Sequence, residues 1–161
     1  MSMMKKYGLL MLLASLLVVG GTFALMQSDV SAASTVVVYK SPTCGCCTKW
    51  IEHMVAAGFE VEVHDETDMN AVKIKNGVRP VYASCHTALV GGYVIEGHVP
   101  ADQIVRLLAE KPAVLGLSAP GMPVGSPGME SSDPSQHQDF DVLTFDGAGR
   151  TSVYAEIKAS R

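Results

Sequence analysis

Three cysteines stand within four residues, Cys44-Gly45-Cys46-Cys47, between a strand pattern and a helix pattern. Residues 35–39 are a continuous β-branched and aromatic run, which is typical of a strand buried on both faces. The apolar positions around and after the motif have helical spacing, and they are Cys47, Trp50, Ile51, Met54 and Val55. The cysteines are therefore predicted at a helix N-terminus, where the helix dipole stabilises thiolate and lowers thiol pKa values.

The rest of the domain alternates strands and helices. A half-buried strand, a weaker helix, the two strands of a hairpin and a last helix are predicted, in order, at residues 59–64, 68–75, 84–90, 93–96 and 100–112. The order β-α-β-(α)-β-β-α, with a C-x-x-C motif after the first strand, predicts a thioredoxin-like α/β domain over residues 34–112.

Two further segments follow this domain. Residues 113–139 are rich in proline, glycine and methionine, which predicts a loop or lid rather than a core element. Residues 140–161 contain two strand patterns around Asp146-Gly147-Ala148-Gly149, which predicts a C-terminal β-hairpin and a tail.

Residues 1–33 have the pattern of a signal peptide. Lys5 and Lys6 precede an apolar run, and small residues at 31–34 suit cleavage after Ala32 or Ala33. The run is long enough that an uncleaved membrane anchor is the alternative. Either way the domain is predicted to face the periplasm, an oxidising compartment in which cysteines form disulfides or bind soft metals. The net charge of −4 argues against nucleic acid as a partner.

The surplus of cysteines favours a metal site over simple disulfide exchange. A thiol oxidoreductase needs one attacking and one resolving cysteine, which Cys44 and Cys47 supply, and Cys46 between them would form competing disulfides. Closely spaced thiolates favour Cu(I) over hard metals. Zinc is the alternative metal, although its structural sites usually contain two separated C-x-x-C pairs, and this chain has one.

Cys85 lies at the start of the predicted third strand, and the thioredoxin-like topology would bring it to the N-terminus of the first helix as a fourth sulfur ligand. The alternative is that the four cysteines form two structural disulfides, which suits an exported protein. The adjacency of Cys46 and Cys47 makes that arrangement strained. In air, at least one disulfide is predicted to involve the 44–47 segment.

Histidines and methionines supply weaker candidates. His86 and His98 are interpreted as surface residues or as residues that support the ligands, and His53 and His64 as exposed polar positions. Met122, like Met129, lies in the Pro/Gly-rich loop, where a thioether is a suitable Cu(I) ligand. Hydrophobic anchoring of the loop explains these methionines equally well.

Three motifs together resemble the CopG family of bacterial copper-resistance proteins. They are Thr43-Cys44-Gly45-Cys46-Cys47, Ser84-Cys85-His86-Thr87-Ala88 and the run from Gly91 to Pro100 that reads GGYVIEGHVP, within a resemblance that extends from about Val36 to Gly128. The resemblance implies a periplasmic thioredoxin-like protein with a cysteine-bridged multinuclear copper cluster, and a role in interconverting Cu(I) and Cu(II). It also implies that the copper ligands are Cys44, Cys46, Cys47 and Cys85.

Three functions are compatible with these features. The first is a copper-binding redox protein of copper resistance, in which Cys44 and Cys47 are the catalytic pair and other periplasmic copper-resistance proteins are partners. The second is a thiol-disulfide oxidoreductase for exported proteins. The third is a copper carrier or store without redox activity.

Export is the first testable prediction. The N-terminus of the mature protein, read from an intact mass, is expected near Ala33 or Ser34 in the periplasmic fraction. Full-length chain in the membrane fraction would show an anchor, and full-length chain in the cytosol would contradict export.

Overall fold

The computed structural model describes residues 35–159, and the segment predicted to be the signal peptide lies outside this range. The seven strands are β1 Thr35–Lys40, β2 Glu60–Asp65, β3 Thr87–Val90, β4 Tyr93–Glu96, β5 Gly116–Ser118, β6 Phe140–Phe145 and β7 Thr151–Ile157. The three α-helices are α1 Gly45–Ala56, α2 Met69–Lys75 and α3 Ala101–Glu110. Short 3-10 turns cover Pro80–Tyr82 and Pro134–Gln136.

All seven strands form one sheet in the order β2-β1-β3-β4-β5-β6-β7. The β1–β2 and β4–β5 pairs are parallel, and the other four pairs are antiparallel. The predicted β-α-β-(α)-β-β-α order is confirmed, as is the C-terminal hairpin. Strand β2 is at one edge of the sheet, and its Val63 side chain is 44% exposed.

Adjacent residues of β4 mark the two faces of the sheet, since successive side chains of a strand point in opposite directions. Ile95 belongs to the main core, which also contains Trp50 and Met54 of α1 and the apolar face of α3. Val94 belongs to a smaller core with Val78, Tyr82 and Phe145. Helices α1 and α3 therefore cover one face, and the segment that follows α2 covers the other.

The prediction of an extended loop over 113–139 is partly wrong. Gly116–Ser118 is a fully buried strand that pairs with both β4 and β6. A strand is not predicted here because three residues are too few to show an alternating pattern and because glycine is rare in strands. Gly116 is required by close packing, because a Cβ at this position would overlap the Val94 carbonyl group. From Ala119 to Asp139 the chain is otherwise irregular, apart from the Pro134–Gln136 turn.

Within residues 35–159, no helix is both long and apolar enough to cross a membrane.

The burial of β5 leads to a test of its place in the core. Leu117→Ala is expected to lower the free energy of unfolding by about 2–5 kcal/mol, because it leaves a cavity at a fully buried position. Val81→Ala, at a position that is 80% exposed, is the control and should change stability by about 0.5 kcal/mol or less. Equal denaturation midpoints for the two variants would show that β5 is not part of the core.

Candidate metal centre

The cysteine motif forms the N-terminus of α1. A turn after β1 is closed by the Cys44 N–H, which donates to the Ser41 carbonyl oxygen at 3.0 Å. Cys44 is the N-cap residue and has no side-chain capping hydrogen bond. Its sulfur is instead joined to that of Cys47, one helical turn later, in a disulfide. Cys47 is buried, whereas Cys44 and Cys46 are partly exposed.

The four sulfur atoms lie together. Cys46 Sγ is 3.5 Å from Cys44 Sγ and 4.0 Å from Cys85 Sγ, although Cys85 is 39 residues away in sequence. All four Sγ atoms lie within 4.8 Å of one another. With the disulfide formed, Cys46 and Cys85 are the free thiols of the described residues. The structure thus brings together the four cysteines that were predicted to form the metal site.

Cys85 precedes β3, is partly buried, and belongs both to the cysteine cluster and to a second group with His86 and His98. Burial, followed by the neighbouring Cys46 thiol, raises the pKa of Cys85 to about 12. The Cys85 side chain is therefore a neutral thiol at neutral pH in this structure. Metal binding through its thiolate would release a proton.

His98 is directed at the same sulfur. Its Nδ1 is 2.7 Å from the Pro127 carbonyl oxygen, so Nδ1 carries the hydrogen and donates it. In the neutral ring, Nε2 then presents a lone pair to Cys85 Sγ at 2.9 Å. Burial lowers the pKa of His98 and keeps the imidazole neutral, against the opposing effects of the Pro127 carbonyl and Glu130. This tautomer is the one that metal-binding histidines adopt when a backbone carbonyl holds the other nitrogen.

His86 is also fully buried. Its ring lies between those of Trp50 and His98, at centroid distances of 4.4 and 5.0 Å, and its Nδ1 is 3.4 Å from Cys85 Sγ. Its Nε2 has no hydrogen-bond partner within residues 35–159. Burial, with contributions from His98 and Lys73, lowers the pKa of His86 well below its usual range. The surface alternative for His86 and His98 is therefore wrong, whereas both rings lie beside the sulfur cluster, where the other alternative, residues that support the ligands, places them.

The other two histidines of the sequence analysis lie elsewhere. His53 Nε2 accepts a hydrogen bond from the Ala101 N–H at the start of α3, so His53 is a structural contact rather than a purely exposed position. His64 is partly exposed and pairs with Glu62 at 2.7 Å.

The Pro/Gly-rich loop covers the site at two points. Near its start, Gly121 is bridged to Ser84, the residue before Cys85. Further on, Gly128 packs so closely on the first turn of α1 that a Cβ would be 2.7 Å from the Cys46 carbonyl oxygen. Met122 lies beside the first point and is 55% exposed.

The donor set consists of four sulfur atoms with two neutral imidazoles beside them. Such soft ligands favour Cu(I), and imidazole also accommodates Cu(II), whereas hard cations would require oxygen ligands. In the described residues no carboxylate belongs to either group of ligand atoms that could hold a metal ion here. The cysteine cluster fits copper binding.

Known proteins resemble this chain in sequence and in fold. Residues 82–129 match a family described as "Protein of unknown function, DUF411". No protein with a curated description matches the chain. A solved structure described as "Copper resistance protein copG- Form 2" is 43% identical, with a TM-score of 0.72 over 78% of this chain and 98% of the other. For "Copper resistance protein copG- Form 1" the identity is 44%, the TM-score 0.70 and the coverage 76% and 96%. The chain therefore belongs to the CopG family of copper resistance proteins.

Proposed function

We propose that this protein binds copper as Cu(I) through Cys44, Cys46, Cys47 and Cys85 and interconverts Cu(I) and Cu(II) in the periplasm. The observation that carries the proposal is the convergence of the four sulfur atoms within 4.8 Å of one another. Four thiolates so close together exceed what one Cu(I) ion needs, which favours a cluster in which sulfurs bridge several ions. Copper is here the cargo and the redox substrate.

The disulfide supplies the redox partner for copper. The reduced Cys44 and Cys47 thiols together hold two electrons. Passing them to two Cu(II) ions gives two Cu(I) ions, one disulfide and two protons, so that atoms and charges balance. In the reverse direction, two Cu(I) ions and two protons convert the disulfide to two thiols and leave two Cu(II) ions. Cys46 and Cys85 remain thiols when this disulfide forms and leave a two-sulfur site for copper, and reduction of the disulfide completes the four-thiolate site.

His98 is proposed as a nitrogen donor to the same site. Its Nε2 lone pair faces the cluster, and the Pro127 carbonyl fixes the ring. An imidazole next to thiolates stabilises Cu(II) as well as Cu(I), which suits a site that changes oxidation state. Met122 is the least supported ligand, since its side chain is more than half exposed.

Export, the periplasmic location and contacts with other copper-resistance proteins are parts of the same proposal. The family relationship to copper resistance proteins and the signal-peptide pattern support them. The runner-up function is thiol-disulfide exchange on exported proteins, which the C-x-x-C disulfide at a helix N-terminus favours. A copper carrier without redox activity is the third.

An anaerobic Cu(I) titration against a competing chelator tests the proposal. The fully reduced protein is expected to bind more than one Cu(I), whereas the air-oxidised protein, with two free thiols, should bind less. Exposure of the loaded protein to Cu(II) or air, with the copper oxidation state and free thiols monitored, separates a redox protein from a carrier. Thiol exchange on a reporter disulfide without copper uptake would favour the runner-up.

Cys85→Ser tests the fourth ligand. We expect a lower Cu(I) stoichiometry or an affinity at least about tenfold weaker, because the bridging sulfur is lost while the fold remains. Circular dichroism of the reduced variant is the folding control. If Cys85 only fills space, serine would reduce stability and leave copper binding at the wild-type level.

His98→Gln tests the nitrogen donor. Loss of a ligand or of its support is expected to weaken copper binding by about 10–100-fold. The change should also alter the spectrum of the Cu(II) form. His64→Gln, on the edge strand, is the control and should bind copper as the wild type does. Matching affinities and spectra for both variants would exclude His98 from the site.

A further inference from the structure

A buried ion pair contacts the residues on both sides of the Cys85–His86 pair. Lys73 Nζ of α2 is 2.5 Å from Glu96 Oε1, at the end of β4, and both side chains are almost completely inaccessible. Among residues 35–159, Glu96 is the one acidic residue that is buried. Neither residue belongs to the cluster of sulfur and nitrogen donors.

The Glu96 carboxylate joins three parts of the fold. Oε1 accepts the Ser84 N–H at 2.6 Å as well as the Lys73 ammonium group. Oε2 accepts the Thr87 hydroxyl group at 2.7 Å, at the first residue of β3. The residues on both sides of the Cys85–His86 pair are thus held by one side chain. Lys73 in turn donates to the Thr87 hydroxyl oxygen at 3.2 Å, which closes the network.

Ser84 is also restrained from its other side. Its hydroxyl group donates to the Gly121 carbonyl oxygen, and Gly97 packs against its side chain with a φ of +73°. The Ser84 backbone therefore has little freedom as long as its N–H keeps the carboxylate as acceptor. Cys85 follows immediately, with its sulfur between Cys46 and His98.

An ion pair at this position needs an explanation other than stability. Burying two charges is costly, and apolar side chains of similar volume often give equal or greater stability. What an apolar pair cannot provide is a hydrogen-bond acceptor for the Ser84 N–H, which would otherwise be left unpaired.

We propose that Glu96, held in place by Lys73, is a positioning residue for the copper site, because its carboxylate fixes the Ser84–Cys85 segment and so holds the Cys85 sulfur beside Cys46 and His98. This inference rests on the proposed function where it concerns copper, but the placement of the sulfur can be measured without the metal.

Two double variants separate positioning from folding. The first, Lys73→Met with Glu96→Leu (the Met/Leu variant), replaces the pair by apolar side chains and leaves the Ser84 N–H without an acceptor. The second, Lys73→Met with Glu96→Gln (the Met/Gln variant), also removes both charges, yet it keeps a side-chain carbonyl oxygen as acceptor for the Ser84 N–H. Glu96→Leu alone is unsuitable, since it would leave a buried lysine unpaired. Leu107→Ala, in the core face of α3, is the control for a general loss of stability.

The first measurement is the alkylation rate of each free thiol in the metal-free, disulfide-containing protein, read by peptide mass spectrometry. In the Met/Leu variant Cys85 should react about tenfold faster relative to Cys46, because the Ser84 N–H has lost its hydrogen bond to a charged group. The second is Cu(I) affinity of the reduced protein, which should fall by about tenfold in the same variant. Both values should return towards wild type in the Met/Gln variant, and Leu107→Ala should change neither.

Equal behaviour of the Met/Leu variant and Leu107→Ala would overturn the inference, as would failure of the Met/Gln variant to restore both values. If wild-type protein did not bind Cu(I), the proposed function would fail, and the thiol reactivities would still decide the role of Glu96.

Discussion

The arrangement of the site depends on the register of the β3–β4 hairpin. Thr87 pairs with Glu96, and the Gly97 N–H donates to the His86 carbonyl oxygen just beyond that pair. Residues before β3 and after β4 therefore leave the sheet side by side. Since β3 also pairs with β1, this end of the hairpin lies next to the turn that leads into α1. A shift of one residue would turn every side chain of the strand to the opposite face and move Cys85 away from the other cysteines.

Much of the fold could be predicted from the sequence because its signals are local. The helical spacing after Cys47, the Gly91-Gly92 turn and the proline at each end of α3 all act within a few residues. Strand β5 was not predicted, because three residues are too few to show the alternation of apolar and polar side chains. Its stability comes from pairing with β4 on one side and β6 on the other, which the local sequence does not reveal.

The convergence of the cysteine sulfurs was easier to predict than the position of the two imidazoles beside them. The proximity of Cys85 to the motif follows from topology alone. The sequence left open whether His86 and His98 lie at the surface or support the ligands, because burial of a polar side chain depends on tertiary contacts such as Trp50 and the Pro127 carbonyl group. The hairpin did indicate that the two histidines lie close together, because a two-residue turn at Gly91-Gly92 places residues 86 and 98 at the same open end of the β3–β4 hairpin. The buried Lys73–Glu96 pair had no sequence pattern, because its partners come from separate elements.

The position of β5 has a consequence for where the polypeptide can be shortened. The C-terminal hairpin covers one side of β5, whose other side is occupied by β4. A chain that ended at Asp139 would keep every cysteine, yet its sheet would terminate in the three-residue strand β5, with free N–H and C=O groups. Such an edge recruits strands from other molecules. The hairpin thus moves the free edge of the sheet from β5 to β7, and because it also supplies the buried Val142 and Phe145, trimming it would destabilise the chain even though every cysteine is retained.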